Sequence, residues 1–268
     1  MGKRFNIIIG GFLTGLVILA AVVSLFWQPH DPNAMDFSAQ LSGPTANNWL
    51  GADHYGRDLF SRLLIGARGT MYVGLISVGI ALTIGGLLGA FAGYVGGFIG
   101  EAIMRVVDVL YAFPAILMAL LLAAIYEPGT ITAMVAIGIA TIPIFARLMR
   151  SSVISLRELE FVEAGRALGA GHGRLLWRHV VPGAMSPIIV QVSLSLSVAI
   201  LAEAALSFLG LGTPPQTPSW GSMLREAQSF LQMSAYPALV PGIAIMVTVL
   251  GFSLLGDGLR DLADRRSN

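Results

Sequence analysis

Reactive side chains are scarce in this chain, and their placement limits the chemistry open to it. Its 268 residues include four histidines, no cysteine and a single lysine, Lys3. Without cysteine there is neither a disulfide nor a thiolate metal site. A phosphate-binding loop of the form G-x-x-x-x-G-K-[ST] is absent, so any ATP hydrolysis of that kind belongs to another chain. No H-E-x-x-H pair occurs. His172 and His179 are seven apart in a charged stretch, and His30 and His54 lie in a polar segment without a clustered set of ligands in sequence. Ser193, Ser195 and Ser197 alternate along an apolar run with no G-x-S-x-G elbow, which predicts hydrogen bonds to neighbouring helices or backbone rather than nucleophilic attack. Two acids interrupt apolar runs, Asp108 and Glu203. An ionisable group at membrane depth is costly and normally paired. Arg105 is the expected partner of Asp108 at i−3. Glu203 either lines a path for solute or binds a neighbouring helix, and these two acids are the candidate path residues.

The densest charged stretch is Arg157 to Pro182, RELEFVEAGRALGAGHGRLLWRHVVP. Glu158, Glu160 and Glu163 come first; Arg166, Arg174 and Arg178 follow. Phe161, Ala164, Gly165 and Leu168 fall at helical spacing, which predicts an amphipathic helix. Gly169, Gly171 and Gly173 then break it. A second short helix is expected from Arg174 toward Val181, stopped at Pro182. Helix, turn and helix make a compact knob for a partner to grip; the plain alternative is a basic loop between two membrane spans.

The elements that position these groups follow from composition. The chain is 55% hydrophobic and only 12% charged, with mean hydropathy +0.77. Soluble domains carry about a quarter charged residues, so this is an all-α integral membrane protein. Runs of about 20 apolar residues cross a bilayer. Six are expected, over about 5–26, 70–91, 102–125, 131–149, 187–208 and 235–255. A signal peptide is the alternative for the first run, but that run is long and no clear A-x-A site follows it. Gly85, Gly89, Gly93 and Gly97 recur every four residues, the pattern of a helix-contact surface. Pro114 is expected to kink the third span, and Pro143 lies inside the fourth. Trp220 suits the membrane interface. Six spans with both termini inside put Lys3, Arg4, the arginines of 157–182 and Arg260, Arg265 and Arg266 on the cytoplasmic side, as the positive-inside rule requires. The polar segment from Gln28 to Gly69 is then outside, where Arg57, Asp58 and Arg62 are expected to pair locally, Asp58 with Arg62 at helical spacing. The chain divides into an N-terminal helix plus extracytoplasmic segment, 1–69, and a five-helix core, 70–268, carrying the knob at 157–182.

Two motifs point to a family. Glu163-Ala164-Gly165, three residues, Gly169, nine residues and then His179-Val180-Val181-Pro182 resembles the EAA loop of ABC-importer permeases. Gly165 stands where that motif has its second Ala, and Val181 where it has Leu. Gly51-Ala52-Asp53-His54-Tyr55-Gly56-Arg57-Asp58-Leu59-Phe60-Ser61-Arg62, leading to Gly66-Ala67-Arg68, resembles the stretch before the second span in peptide and nickel permeases, with Ala52 for the usual Thr. The runs 202–212 and 218–224 are similar to the same subgroup.

The chain is thus similar to the C-type permease subunit of dipeptide, oligopeptide and nickel importers. That resemblance implies a type I ABC importer permease fold in a bacterial inner membrane and a transport role rather than an enzymatic one. It implies a heterodimer with a homologous second permease, two cytoplasmic ATPases that carry ATP and Mg, an extracytoplasmic substrate-binding protein and surrounding lipid. It implies neither a cofactor on this chain nor a nucleic-acid partner. Glu163, Ala164, Gly165, Gly169, Arg174, Arg178, His179 and Pro182 are the residues it assigns to ATPase coupling. The implied cargo is a di- or oligopeptide. Alternatives are nickel or another solute, a proton-driven carrier using Asp108 and Glu203, and, more remotely, an intramembrane enzyme.

Overall fold

The computed structural model describes residues 2–214 and 216–264, and among these the structure is helical apart from one isolated bridge between Ala52 and Asp58. Helix α1 covers Gly2–Val23. A strap without long elements follows to Asp58, which caps α2, Leu59–Val95, by accepting from the Ser61 N–H at 2.8 Å and the Ser61 hydroxyl at 2.7 Å. At 37 residues α2 is about 55 Å long, well beyond the roughly 30 Å bilayer core. It therefore begins eleven residues before the expected Thr70, and Gly66-Ala67-Arg68 lies inside it rather than ahead of it.

The third span is not one kinked helix. It consists of α3, Gly97–Tyr111, and α4, Ala115–Tyr126, set at 83° to each other. Pro114 has no N–H to donate and disfavours the helical region for Phe113, so the helix ends there instead of bending through it. Helix α5 is Thr130–Arg157, running eight residues past the expected end at Met149, with Pro143 inside.

Packing registers give the chain directions. On α2 and α5 the contact positions rise together, with Ile80 against Gly138, Gly85 against Ile142, Gly89 against Ala146 and Gly93 against Val153. The two helices are therefore parallel, and α3 with α4 must return the chain between them as one crossing. This seam explains three of the four spaced glycines. A methyl at Gly89 would overlap the Ala146 carbonyl, so the backbones touch directly. Gly97 lies beyond the helix and faces open space.

The remaining helices are α6, Glu160–Ala167; α7, His172–Leu175; a π turn, Leu176–Val180; α8, Val181–Gly183; α9, Met185–Phe208; α10, Trp220–Gln228; and α11, Tyr236–Asp264. Helix α11 runs antiparallel to α1, with Gly258 at Ile7 and Gly251 at Thr14, and to α9, with Gly256 at Leu194. The start of α1, the end of α11 and the start of α9 thus share one end of the bundle. The knob precedes α9 and lies at that end, and the strap and α10 lie at the other. The side chains of Lys3 and Arg4, and all of Arg265 and Arg266, are outside the described residues.

The core is shared by α2, α5 and α9: Val73, Phe145, Val153, Ile200 and Leu206 are all buried. Ser193 and Ser197 of α9 bond as expected to a neighbouring helix, whereas Ser195 meets a side chain of α9 itself. Ser193 donates to the Phe252 carbonyl at 2.9 Å, Ser197 donates to that of Val249 at 3.3 Å, and Ser195 accepts from Gln191.

Candidate functional site

The knob is built around a small core of its own. Val162 of α6 is buried with Leu175, Leu176 and Val180, which holds the two halves of the hairpin together. Glu160 and Glu163 occupy the first turn of α6, where negative charge complements the helix dipole. The helix ends in a Schellman motif: the Gly169 N–H returns to Arg166 at 3.0 Å and the Ala170 N–H to Gly165 at 3.0 Å. That motif puts Gly169 at φ +85, in the left-handed region that glycine enters at little cost. Gly165 faces Leu175 so closely that an alanine Cβ would lie 2.9 Å from Cδ2, a physical reason for glycine at this position.

Two expectations about the second half need correction. Its helix starts at His172, not Arg174, and Pro182 does not stop it. The π turn over Leu176–Val180 rearranges the backbone hydrogen bonds just ahead of Pro182, so its missing N–H is absorbed and the chain runs on into α9.

Glu163, Ala164, Gly169, Arg174, Arg178, His179 and Pro182 are all exposed on the knob, while Gly165 is half-buried. Sequence reasoning passed over three apolar groups on the same surface as docking groups. Phe161, Leu168 and Trp177 are exposed, Leu168 to 89%. The spacing of Phe161, Ala164 and Leu168 is the signal: it defines the apolar stripe of α6, and that stripe points outward while Val162 faces in. An apolar stripe rimmed by Glu158, Glu160, Glu163 and Arg166 has the anatomy of a protein-docking patch, with an apolar centre and a charged rim.

The opposite end holds a buried ion network. Arg57 pairs with Asp53, Nε to Oδ2 at 2.6 Å, and with Glu226 of α10. Arg62 reaches Glu226 at 3.1 Å and is 1% exposed. The local pairing expected of Asp58 and Arg62 is thus replaced: Asp58 caps α2, and Glu226, 164 residues from Arg62, takes the arginine. Distance in sequence hid this partner. Trp220 is also buried rather than interfacial; its indole N–H donates to the Leu63 carbonyl at 3.0 Å, beside Gly66. Asp53, His54 and Glu226 offer ligand atoms within 4.8 Å of one another, a cluster not visible in sequence. Both carboxylates already neutralise arginines, so the group is an ion-pair network and a poor fit for a divalent cation. His54 stacks on Phe230 with ring centroids 4.5 Å apart, and partial burial pushes its pKa below the usual imidazole range, the nearby Asp53 charge opposing.

Neither candidate path acid is unpaired. Glu203 is 1% exposed and accepts from Ser207 at 2.8 Å and Thr70 of α2 at 3.4 Å, so it joins α9 to α2. Asp108 pairs with Arg147 of α5 at 2.8 Å, not with Arg105. Arg147 also lies over the Tyr111 ring at 4.1 Å. The pair spans two helices packed side by side, a contact that an i−3 rule cannot see.

Comparison with known proteins agrees with this architecture. The profile of the family described as "Binding-protein-dependent transport system inner membrane component" matches residues 85–268. The chain is 47% identical over 227 residues to the dipeptide transport system permease protein DppC of Alkalihalophilus pseudofirmus, covering 85% of this chain and 75% of that one. It is 43% identical over 255 residues to the glutathione transport system permease protein GsiD of Pectobacterium atrosepticum, covering 93% and 85%. The probable D,D-dipeptide transport system permease protein DdpC of Escherichia coli is 38% identical over 252 residues, covering 94% and 85%. Among solved structures, the fold is similar to a chain of the MetNI methionine ABC transporter in an inward-facing conformation, with TM-score 0.59 and 16% identity over 76% of this chain and 94% of that one.

Proposed function

The chain belongs to the family of binding-protein-dependent transport system inner membrane components, as the multi-pass permease of an ABC importer and not an enzyme, and from that premise we propose that it moves di- or oligopeptides inward, driven through the knob at 157–182. The outward-facing stripe Phe161–Ala164–Leu168 carries the docking half of this reading: it is apolar, lies at the charged end of the bundle, and has no covering segment among the described residues. The names of the relatives support the cargo, since dipeptide, glutathione and D,D-dipeptide are all short peptides.

In this reading the knob end is cytoplasmic, with both termini, and the strap end faces the binding protein. Two ATPases serve this chain and a homologous second permease. ATP binding closes the ATPase pair, and each ATPase displaces one knob. Leu168 and Phe161 fill the ATPase groove, and Glu163, Arg174, Arg178 and His179 fix its register. The knob continues into α5 and α9 at its two ends, so its displacement is passed to both, and the cavity between the permeases opens outward. Hydrolysis resets it. Coupling of this kind requires contacts that differ between the two states. A proton-driven carrier is less well supported, because Asp108 and Glu203 are engaged in side-chain contacts rather than placed as a relay.

ATP-dependent uptake of labelled dipeptide, with labelled nickel in parallel, tests the reading in vesicles carrying the chain and its partners. Dipeptide uptake that fails with Leu168→Asp is the expected result. Nickel uptake alone would reassign the cargo, and uptake following the proton gradient at constant ATP would overturn the drive.

A further inference from the structure

Helix α2 does not adjoin the knob in sequence, yet two contacts tie them together. The hydroxyl of Tyr94, the penultimate residue of α2, is hydrogen-bonded to His172 Nδ1 at the start of α7, 3.1 Å away. The two rings meet edge to face, with centroids 6.0 Å apart at 72°. Beside them Arg157, the last residue of α5, donates from Nη1 to the Gly93 carbonyl at 2.8 Å and reaches the Tyr94 carbonyl at 3.4 Å. A guanidinium at this point caps the last carbonyls of α2 and complements the negative end of its dipole.

We propose that Tyr94 and His172 are positioning residues for transport, forming a joint through which the knob drives α2 directly. The inference rests on the reading of 157–182 as the ATPase dock. The chain connections lead from the knob only to α5 and α9. Helix α2 packs on α5 through the glycine seam, where Phe145, Val153 and Ile80 sit against Gly85, Gly93 and Gly138, so it can follow α5. The Tyr94–His172 contact adds a second, directional link that bypasses α5 and sits at the knob itself. Its consequence reaches far. Helix α2 holds Trp220 beside Gly66 and bears Arg62, the partner of Glu226, at its opposite end. Displacement of α2 therefore reaches the strap and α10 about 50 Å away, taking 1.5 Å per residue from Tyr94 to Arg62.

The test uses the full complex reconstituted in liposomes. Tyr94→Phe and His172→Phe each keep a ring and remove the hydrogen bond. Both are expected to retain the co-purified ATPases and their hydrolysis rate. Uptake per ATP hydrolysed should fall about fivefold, the effect of one lost hydrogen bond on a two-state balance. The double variant should lose no more than either single one, as expected of two groups acting through one contact, and uptake per ATP should fall without a drop in thermal stability, which a merely structural role would not produce. Because the natural chain has no cysteine, Tyr94→Cys with His172→Cys can be bridged by a short bis-methanethiosulfonate reagent, and the bridge should restore uptake per ATP. Unchanged uptake per ATP in both single variants would overturn the joint, as would a bridge that blocks transport. Leu168→Asp separates the two readings: if it leaves the ATPases bound, the docking assignment fails, whatever the joint variants do.

Discussion

Glu226→Gln should destabilise the protein far more than its partly exposed position suggests. The substitution keeps shape and one accepting oxygen, the number both arginines share at Oε2, but removes one charge from a set of four: Arg57, Arg62, Asp53 and Glu226. With both arginines charged, the group changes from neutral to a net positive charge. Arg62 is 1% exposed, and its other acidic neighbour, Asp53, is 3.7 Å from Nε. Arg57 keeps its close bond to Asp53. Breaking a fully buried pair costs about 3–5 kcal/mol. The Glu226 side chain is 22% exposed, so water screens part of the loss. A net cost of about 2–3 kcal/mol follows, and for a chain of this size that is a drop in Tm of about 5–10 °C. Thermal unfolding of the detergent-solubilised chain, followed by loss of the monodisperse peak in size-exclusion chromatography, measures it. Glu160→Gln, on the exposed first turn of α6, is the control and should change Tm by about 1 °C or less. A Glu226→Gln protein melting with the control would refute the view that this network holds the strap to α2.

Four further outcomes follow from the same structure. His54 has its pKa depressed mainly by burial, so the stability it contributes is present above about pH 6.5 and is lost as pH falls through the depressed value; His54→Phe should flatten that part of the pH–Tm curve. Gly169→Pro removes the N–H that closes the Schellman motif and cannot adopt φ +85, so ATPase co-purification should fall at unchanged membrane levels. Asp108→Asn opens a pair that is nearly half exposed on both sides and should cost at most about 1 kcal/mol, with uptake retained. Glu203→Gln should leave uptake within about twofold, because the amide oxygen can accept from the Ser207 hydroxyl that binds Oε1 and the amide N–H can donate to the Thr70 hydroxyl that binds Oε2; a large loss would return Glu203 to the transport path.

Much of this architecture was legible in the sequence because membrane helices are written in local terms. Apolar run length marks the crossings, and glycines every fourth residue mark the α2–α5 seam. Charge and glycine spacing place the knob between α5 and α9. The misses share one cause, which is that they depend on residues far apart in the chain. Glu226 meets Arg62, Arg147 meets Asp108, and Trp220 packs at Gly66 only once the helices are assembled. Helix ends also lie beyond the apolar runs, since hydropathy marks where lipid begins and α2 and α5 continue past it as ordinary helix. The knob was found as a pattern of charges, whereas its exposed stripe, Phe161, Ala164 and Leu168, needed the fold to show which face Val162 turns inward.

The most direct test of the account is ATP-driven uptake of a labelled dipeptide into vesicles holding the chain with its ATPases, second permease and binding protein, compared with Leu168→Asp and Glu163→Lys. Loss of both uptake and ATPase co-purification in the two variants, with the permease still inserted, is the predicted result. Full uptake by both variants would contradict the assignment of 157–182 as the element that couples ATP to transport.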